Sequence, residues 1–203
     1  MSDLTVALAK WSSLWSGLGA PSGDVLMRPG LSAEDIRAQL TDSGLVPCDD
    51  VVEWYCWADG SASPQWALPG SGLVGLSLAD ALRWRKDLWA VASDLAADGL
   101  FETVGGVESR YRREWLPLAQ PLGSGGELVV ELGRQVAHPS IKRLDWVDGL
   151  RPVHDIEGTL VDIVGHWTRV LQTGLIRFFP ETSRWQGDIF ALPPGLLDHD
   201  LVN

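Results

Sequence analysis

Residues 115–132 read WLPLAQPLGSGGELVVEL, and this stretch decides the fold class. Two short apolar runs, Trp115–Ala119 and Glu127–Leu132, flank the glycine-rich connector Gly123–Gly126. Short apolar runs bounded by glycine favour strands, and glycine permits the positive φ that a hairpin connection needs. The stretch therefore predicts two paired antiparallel strands in the middle of the chain.

Amphipathic helices are predicted on both sides of this hairpin. Apolar residues recur at spacings of three and four, as on one face of a helix, in residues 4–18, 78–95 and 160–171. Two shorter helices are expected after Gly30, with Ser32 as the N-cap, and after Pro47. We expect the last helix to span residues 156–173, because Gly174 ends its apolar stripe.

The order of the elements predicts an α+β fold. Further strands are expected over residues 65–68, 73–76 and 142–147. Helices first, strands in the middle and a helix at the end do not form the alternation that builds a parallel sheet. We therefore expect a single domain with a mostly antiparallel central sheet, flanked by N-terminal helices and a C-terminal helix.

Three segments are expected within this organisation. Residues 1–27 form an N-terminal helical extension and connector, and residues 28–174 form the main domain. Residues 175–203 form a tail that either packs on the domain or trails from it. The 203-residue length fits one domain with a real core.

Composition and charge exclude several classes of partner. The net charge of -11 disfavours nucleic acid, because phosphate binding needs a positive field. No apolar run approaches the roughly 20 residues that span a bilayer, and Asp3 stands where a secretory signal carries Lys or Arg. Cys48 and Cys56 are the only cysteines, which is typical of reduced thiols. We expect a cytoplasmic protein without a membrane partner.

The search for chemistry finds one weak constellation. Two histidines and several carboxylates cluster in sequence, and such groups suit a metal-dependent hydrolase. The cluster lacks an H-E-x-x-H motif and a third nearby histidine, so we assign no metal, no cofactor and no catalytic residue. Cys48 lies near a helix start, which lowers a thiol pKa, but a buried inert cysteine is the commoner case. The residues of the cluster are His154, Asp155, Glu157, Asp162 and His166.

Acidic and aromatic residues concentrate in one segment. No Lys or Arg lies between Arg37 and Arg83, while aspartates and a glutamate recur there. Such a segment is either an ordinary solvated face or a surface that attracts a basic protein. Eleven tryptophans are present, and most are expected in the core. As partner-binding residues we select the acids Asp49, Asp50, Glu53 and Asp59, with Trp54 or Trp57 as the aromatic anchor.

The same segment carries a family resemblance. Its features are a Pro-Gly-Leu-Ser start, a helix, a Pro after an apolar residue, an aromatic helix and a closing Asp-Gly. With the paired strands and the final helix, this order resembles the SUKH superfamily of fungal cell-wall-assembly regulators and bacterial immunity proteins. The resemblance covers residues 28–173. It is carried by Pro29–Ser32, Gly44, Leu45–Gly60, Trp115–Leu118, Gly126, Leu128–Glu131 and Glu157–Leu171.

The resemblance implies an α+β fold and a non-catalytic role. Bacterial members are typically immunity proteins that bind and block a cognate toxin, often a nuclease. The chain departs from the family pattern at Val46, where Leu is usual, and at Glu131, where Asp is commoner. Arginine far outnumbers lysine among the 16 basic residues, which fits a GC-rich bacterial genome better than a fungal one.

Two functions from the binding class are therefore kept, besides the hydrolase alternative. The first is an immunity protein, a monomer or weak homodimer, that neutralises a basic toxin by stoichiometric binding. The second is a regulatory or scaffold module without a toxin partner, as the fungal relatives indicate.

Overall fold

The helices of the fold come mainly from the first half of the chain. The computed structural model describes residues 2–98, 111–123, 126–145, 151–156, 158–188, 191–193 and 196, without the side chains of 145 and 151–156. A short 3-10 helix at Ser16–Leu18 follows the first α-helix. The α-helices in these ranges are α1 (Asp3–Ser13), α2 (Gly23–Leu26), α3 (Ala33–Asp42), α4 (Asp49–Trp57), α5 (Leu78–Ala97) and α6 (Leu160–Gln172).

The strands in the same ranges form three antiparallel sheets. One pairs β1 (Met27–Pro29) with β2 (Ala58–Ser61). The central sheet has five strands in the order β3 (Leu73–Gly75), β4 (Trp115–Pro121), β5 (Leu128–Glu131), β6 (Ile141–Asp145) and β7 (Arg151–Ile156). The third pairs β8 (Ile176–Phe179) with β9 (Arg184–Gly187). The predicted α+β class with a mostly antiparallel sheet is confirmed.

The central sheet carries an apolar core on each face. On one face, Leu116 and Val130 are opposite each other in neighbouring strands and join the core formed with α1, α4 and α6. On the other face, Trp115 and Val129 pack with Leu88 of α5. Successive side chains of a strand point to opposite faces, so each strand of the predicted hairpin supplies both cores. Helices therefore cover both sides of the sheet.

The described parts of the N-terminal extension and of the C-terminal tail both contribute to the main core. Leu4, Leu8 and Trp11 of α1 are buried, and α1 packs against α6 and α4. The described part of the N-terminal extension, residues 2–27, is thus built into the same core as the segment that follows. In the tail, Ile176 and Phe178 of the β8–β9 hairpin are also buried in it. The described part of the tail therefore packs on the domain.

Two sequence predictions about elements were wrong. Residues 65–68 form a loop, and Leu68 is buried there with its N–H donating to the Leu73 carbonyl at 2.5 Å. An apolar residue that anchors a loop has the same composition as one in a short strand. The last helix begins at Leu160, because β7 occupies residues 151–156 and Thr159 caps the helix.

Two glycines allow close backbone contacts beside α4. A Cβ at Gly30 would collide with the carbonyl of Cys56, and one at Gly60 would lie 2.5 Å from the carbonyl carbon of Leu76. Gly60 also has a φ of 78°, which L residues rarely adopt. These contacts hold the β1–β2 ribbon against the end of α4 and the start of α5. They thereby fix the position of α4 and of the acidic and aromatic residues that it carries.

Candidate functional site

Helix α4 has one buried side and one accessible side. Val51, Val52, Trp54 and Tyr55 are buried. Asp49, Glu53 and Trp57 follow each other at intervals of four, which places them on one face of the helix. Asp49 is exposed, and Glu53 and Trp57 are half-buried. These three residues, named here the α4 stripe, are the accessible part of the predicted partner-binding set.

The structure removes Trp54 from the accessible surface. Its side chain is only 1% exposed, and its ring lies 5.8 Å from that of Trp57 and 6.4 Å from that of Trp167 between centroids. The packing of α1 and α6 against α4 buries Trp54. Of the two proposed aromatic anchors, only Trp57 is accessible.

Asp50 is also buried, and it holds a distant histidine. It is 4% exposed, and its two carboxylate oxygens lie 3.0 and 3.2 Å from Nδ1 of His138. Burial raises the pKa of Asp50, and the hydrogen bond from His138 opposes that rise. The hydrogen bond to Asp50 and its negative charge raise the pKa of His138. The Asp50 carboxylate therefore holds a loop against α4 and is not free to contact a partner.

The acids of the α4 stripe have contacts within the chain. Arg37 donates to Asp49 at 3.2 Å, and the Asp49 side chain remains 82% exposed. Thr5 donates from its hydroxyl to Glu53 at 3.2 Å, and the Ser2 hydroxyl donates to the same carboxylate oxygen. The hydroxyls leave the Glu53 charge in place, and an exposed ion pair such as Arg37–Asp49 is worth only about 0–1 kcal/mol. Arg37 offsets part of the Asp49 charge, so the negative field of the stripe comes mainly from Glu53, which forms no ion pair with a described residue.

Asp59 makes a hydrogen bond within the chain at the start of α5. Its Oδ1 atom accepts a hydrogen bond from the backbone N–H of Leu78 at 2.7 Å. This N–H is the first of α5 and has no partner within the helix. Asp59 thus caps α5 from β2 and lies outside the α4 stripe.

A cavity opens beside the C-terminal end of α4. Its volume is about 580 Å³, within the range of roughly 300–1,000 Å³ typical of ligand clefts. Trp57 forms part of its wall, so the α4 stripe runs from the acidic start of the helix into this cavity. Other lining residues come from α1, α2, β1 and the connector between α1 and α2, and they include Ser13, Trp15, Asp24, Met27 and Arg28.

The charged residues of the cavity differ in their partners. Arg28 lies 3.6 Å from Asp80, which also pairs with Arg83 at 2.6 Å. Asp24 is exposed and forms no ion pair with any residue in the described ranges. The accessible negative charge of the cavity is therefore that of Asp24.

Sequence reasoning missed the lining residues Trp15, Asp24 and Met27. Asp24 and Met27 lie in or next to a connector rich in glycine and proline, where no periodic pattern marks a surface. Trp15 lies on the apolar stripe that predicted a core position, and it is 1% exposed. Only the tertiary contact between this connector and α4 brings these three residues and Trp57 into the lining of one cavity.

The proposed metal cluster lies partly outside the described residues. Glu157 and the side chains of His154 and Asp155 are not among them. Asp162 accepts hydrogen bonds from the Thr159 N–H and hydroxyl, both at 2.8 Å, and thereby caps α6. His166 is 4% exposed on that helix. The described part of the chain contains no group of three or more His, Cys, Asp or Glu suited to a metal.

The two cysteines have contrasting surroundings. Cys48 is buried, and burial raises its pKa to about 11. It is therefore a thiol at neutral pH, although it directly precedes a helix. Burial outweighs the hydrogen bonds from the Val51 and Asp50 backbones, which lower the pKa. Cys56 is exposed in the last turn of α4.

Comparison with known proteins adds no relative. Neither a scan against protein-family models nor a search of curated proteins finds a match to this chain. Over the described residues, no helix has both the length and the apolar character to cross a membrane.

Proposed function

We propose that this protein is a non-catalytic binding domain, an immunity protein that neutralises a cognate bacterial toxin by stoichiometric binding in the cytoplasm. The observation that carries the proposal is the α4 stripe, which joins an exposed carboxylate to a half-buried tryptophan at the mouth of a cavity. The toxin surface would cover the stripe and thereby block the toxin's active site or its substrate-binding surface.

The chemistry of the stripe fits a basic protein partner. A surface around Asp49 and Glu53 on a chain with a net charge of -11 speeds the approach of a basic protein. Nuclease toxins bind phosphate backbones and therefore present basic surfaces. At the other end of the stripe, Trp57 offers a large rigid ring of the kind that dominates binding energy. Steering and anchoring are thus combined on one helix.

The resemblance to the SUKH superfamily supports the same proposal. Its characteristic segment, residues 29–60, ends with α4 and the Asp59–Gly60 pair. Bacterial proteins of this superfamily typically act as immunity proteins. We propose the same role for this chain. The choice of α4 as the binding surface rests on the burial and charge of its side chains.

Co-expression tests this function directly. We expect a toxin domain to be encoded beside this gene. That domain should kill a host cell when produced alone and should be neutralised when this protein is produced with it. Purified components should form a 1:1 complex in size-exclusion chromatography coupled to light scattering. Continued killing, with both proteins shown to be produced and folded, would contradict the proposal.

A further inference from the structure

The cavity beside α4 has the chemistry of a site for a cationic side chain. The half-buried Trp57 supplies an aromatic wall, and the exposed Asp24 supplies a carboxylate to the lining of the same cavity. A guanidinium group binds to such a pair in two ways at once. It stacks on the face of an indole, where the ring quadrupole attracts positive charge, and it donates two parallel hydrogen bonds to a carboxylate.

The charges around the cavity favour this occupant over an anion. Asp24 has no cationic partner in the described ranges, so its charge is available to a ligand. Arg28 is the one cation among the described lining residues, and it lies 3.6 Å from the Asp80 carboxylate. Asp80 also pairs with Arg83 at 2.6 Å, so it offsets only part of the repulsion that Arg28 would exert on an incoming cation.

We infer that the cavity binds an arginine side chain from the surface of the protein partner, with the guanidinium stacked on Trp57 and paired with Asp24. This inference rests on the proposed function, because the partner supplies the arginine. It goes further by naming the recognised group and the cavity residues that recognise it. The volume of about 580 Å³ exceeds that of one side chain, so flanking partner residues also fit.

A titration with a short peptide tests the inference without the toxin. The probe is acetyl-Gly-Ser-Arg-Ser-Gly-amide, added to the full-length ¹⁵N-labelled protein and followed by NMR. The control peptide has citrulline in place of arginine, which keeps the shape and removes the charge. We expect saturable shifts at the amides of Gly23 and Asp24 and at the Trp57 indole N–H. The arginine peptide should bind at least about fivefold more tightly than the citrulline peptide.

Two variants locate the binding. Asp24→Asn should remove the advantage of arginine over citrulline, whereas Asp42→Asn, an exposed acid on α3, should keep it. Ser13→Arg places a guanidinium of the chain itself at the lining of the cavity and should abolish binding of both peptides. Equal affinities for the two peptides, or an Asp24→Asn variant that still prefers arginine, would overturn the inference.

The outcome is distinguishable from failure of the proposed function. Arginine-selective binding at this cavity together with a toxin that is not neutralised would leave the site standing and reject the immunity role. Neutralisation of the toxin by a protein that does not prefer the arginine peptide would keep the immunity role and reject this site.

Discussion

At the scale of single residues, tryptophans from three helices and from the connector after α1 form a continuous cluster in the core. The Trp11 ring lies 5.0 Å from Trp15, 5.6 Å from Trp57 and 5.3 Å from Trp167 between centroids. Separations of 4.5–7 Å are typical of favourable aromatic pairs. The cluster joins α1, α4 and α6, and its buried rings pack against the accessible Trp57.

Removing the ring of Trp167 tests the strength of this cluster. The residue is 1% exposed, as its place in the apolar stripe of α6 predicts. Trp167→Ala should lower the free energy of unfolding by about 3–5 kcal/mol, because truncation leaves a cavity. Urea unfolding followed by circular dichroism measures the change. A variant as stable as the wild type would contradict the packing described for α6.

A matched control retains the aromatic ring at this position. The Trp167 indole N–H makes no hydrogen bond to any described residue. Trp167→Phe removes that buried donor along with some apolar area, and the two effects oppose each other. The Phe variant should therefore lose much less stability than the Ala variant.

The contact between His138 and Asp50 predicts a pH dependence of stability. Folding raises the pKa of His138 through its hydrogen bond to Asp50, and Asp3 and Glu53 add to the rise. This contribution is complete below the unfolded pKa of about 6.5 and is lost as pH rises through the folded value. Burial raises the pKa of Asp50, with Glu53 and Asp49 adding to it. Both groups thus favour the folded state more at lower pH.

Thermal melts measure this dependence. The wild-type melting temperature should fall between about pH 6 and about pH 8, and His138→Gln should flatten the curve over that range. His138→Gln alone leaves Asp50 buried without this partner, so the His138→Gln, Asp50→Asn double variant is the control. An identical pH profile in wild type and His138→Gln would show that the pair does not form in solution.

Single residues also show which features of the site the sequence alone predicts and which it does not. The spacing of four that links Asp49, Glu53 and Trp57 is visible in the sequence, and it correctly groups the accessible residues. The burial of Asp50 is not visible, because its partner His138 lies 88 residues away in the chain. Likewise, Trp54 and Trp57 are equivalent by composition, and only the packing of α1 and α6 against α4 separates them.

At the scale of elements, α5 begins with two acceptors from different parts of the chain. Ser77 caps it locally, since its hydroxyl oxygen accepts from the Asp80 N–H at 3.1 Å. Asp59, which lies in β2, accepts a hydrogen bond from the Leu78 N–H. The helix start is thereby fixed to the β1–β2 ribbon that also holds the end of α4.

A substitution at Asp59 separates its capping role from partner binding. Asp59→Ala should lower the free energy of unfolding by about 0.5–2 kcal/mol, the usual effect of losing a cap. Asp59→Asn keeps an acceptor oxygen and should be closer to wild type. Neither change should slow association with the partner. A loss of association rate in Asp59→Asn, with stability unchanged, would return Asp59 to the binding surface.

A helix or strand can be predicted from the sequence when the interactions that form it lie within its own residues. Helices α1, α5 and α6 carry apolar stripes, and Ser32 acts as the predicted cap of α3. The sequence of β7 instead mixes charged residues with Pro152, and its extended form comes from pairing with β6. A proline is tolerated there because β7 lies at the edge of the sheet that the described residues form. Strands of three or four residues, such as β1 and β2, are too short to show alternation.

At the scale of the whole molecule, acidic residues are present on both sides of the sheet. Asp49 and Glu53 lie on α4, while Asp87 and Asp94 are exposed on α5, which covers the opposite face. Overall charge and local charge thus predict different effects of a charge substitution on association with the partner. If only the net charge of -11 attracts the partner, the location of a substitution is irrelevant; if the α4 stripe does, location decides the result.

Charge reversal on α4 distinguishes these cases by the rate of association. The Asp49→Lys, Glu53→Lys variant should associate with its toxin at least about tenfold more slowly at low salt, because rim charges act mainly on association. The Asp87→Lys, Asp94→Lys variant has the same change in net charge on the other side of the sheet and should show a clearly smaller effect. Asp50 is left unchanged because reversing a buried carboxylate would disturb the fold.

Ionic strength provides the decisive comparison, since the Debye length shrinks from about 10 Å at 0.1 M to about 3 Å at 1 M salt. The difference between the α4 variant and wild type should therefore close at high salt if it arises from steering. Stopped-flow association over a salt series measures it, with circular dichroism to verify folding. Equal association rates for wild type and the α4 variant at low salt would show that the α4 stripe is a solvated face and that the partner binds elsewhere.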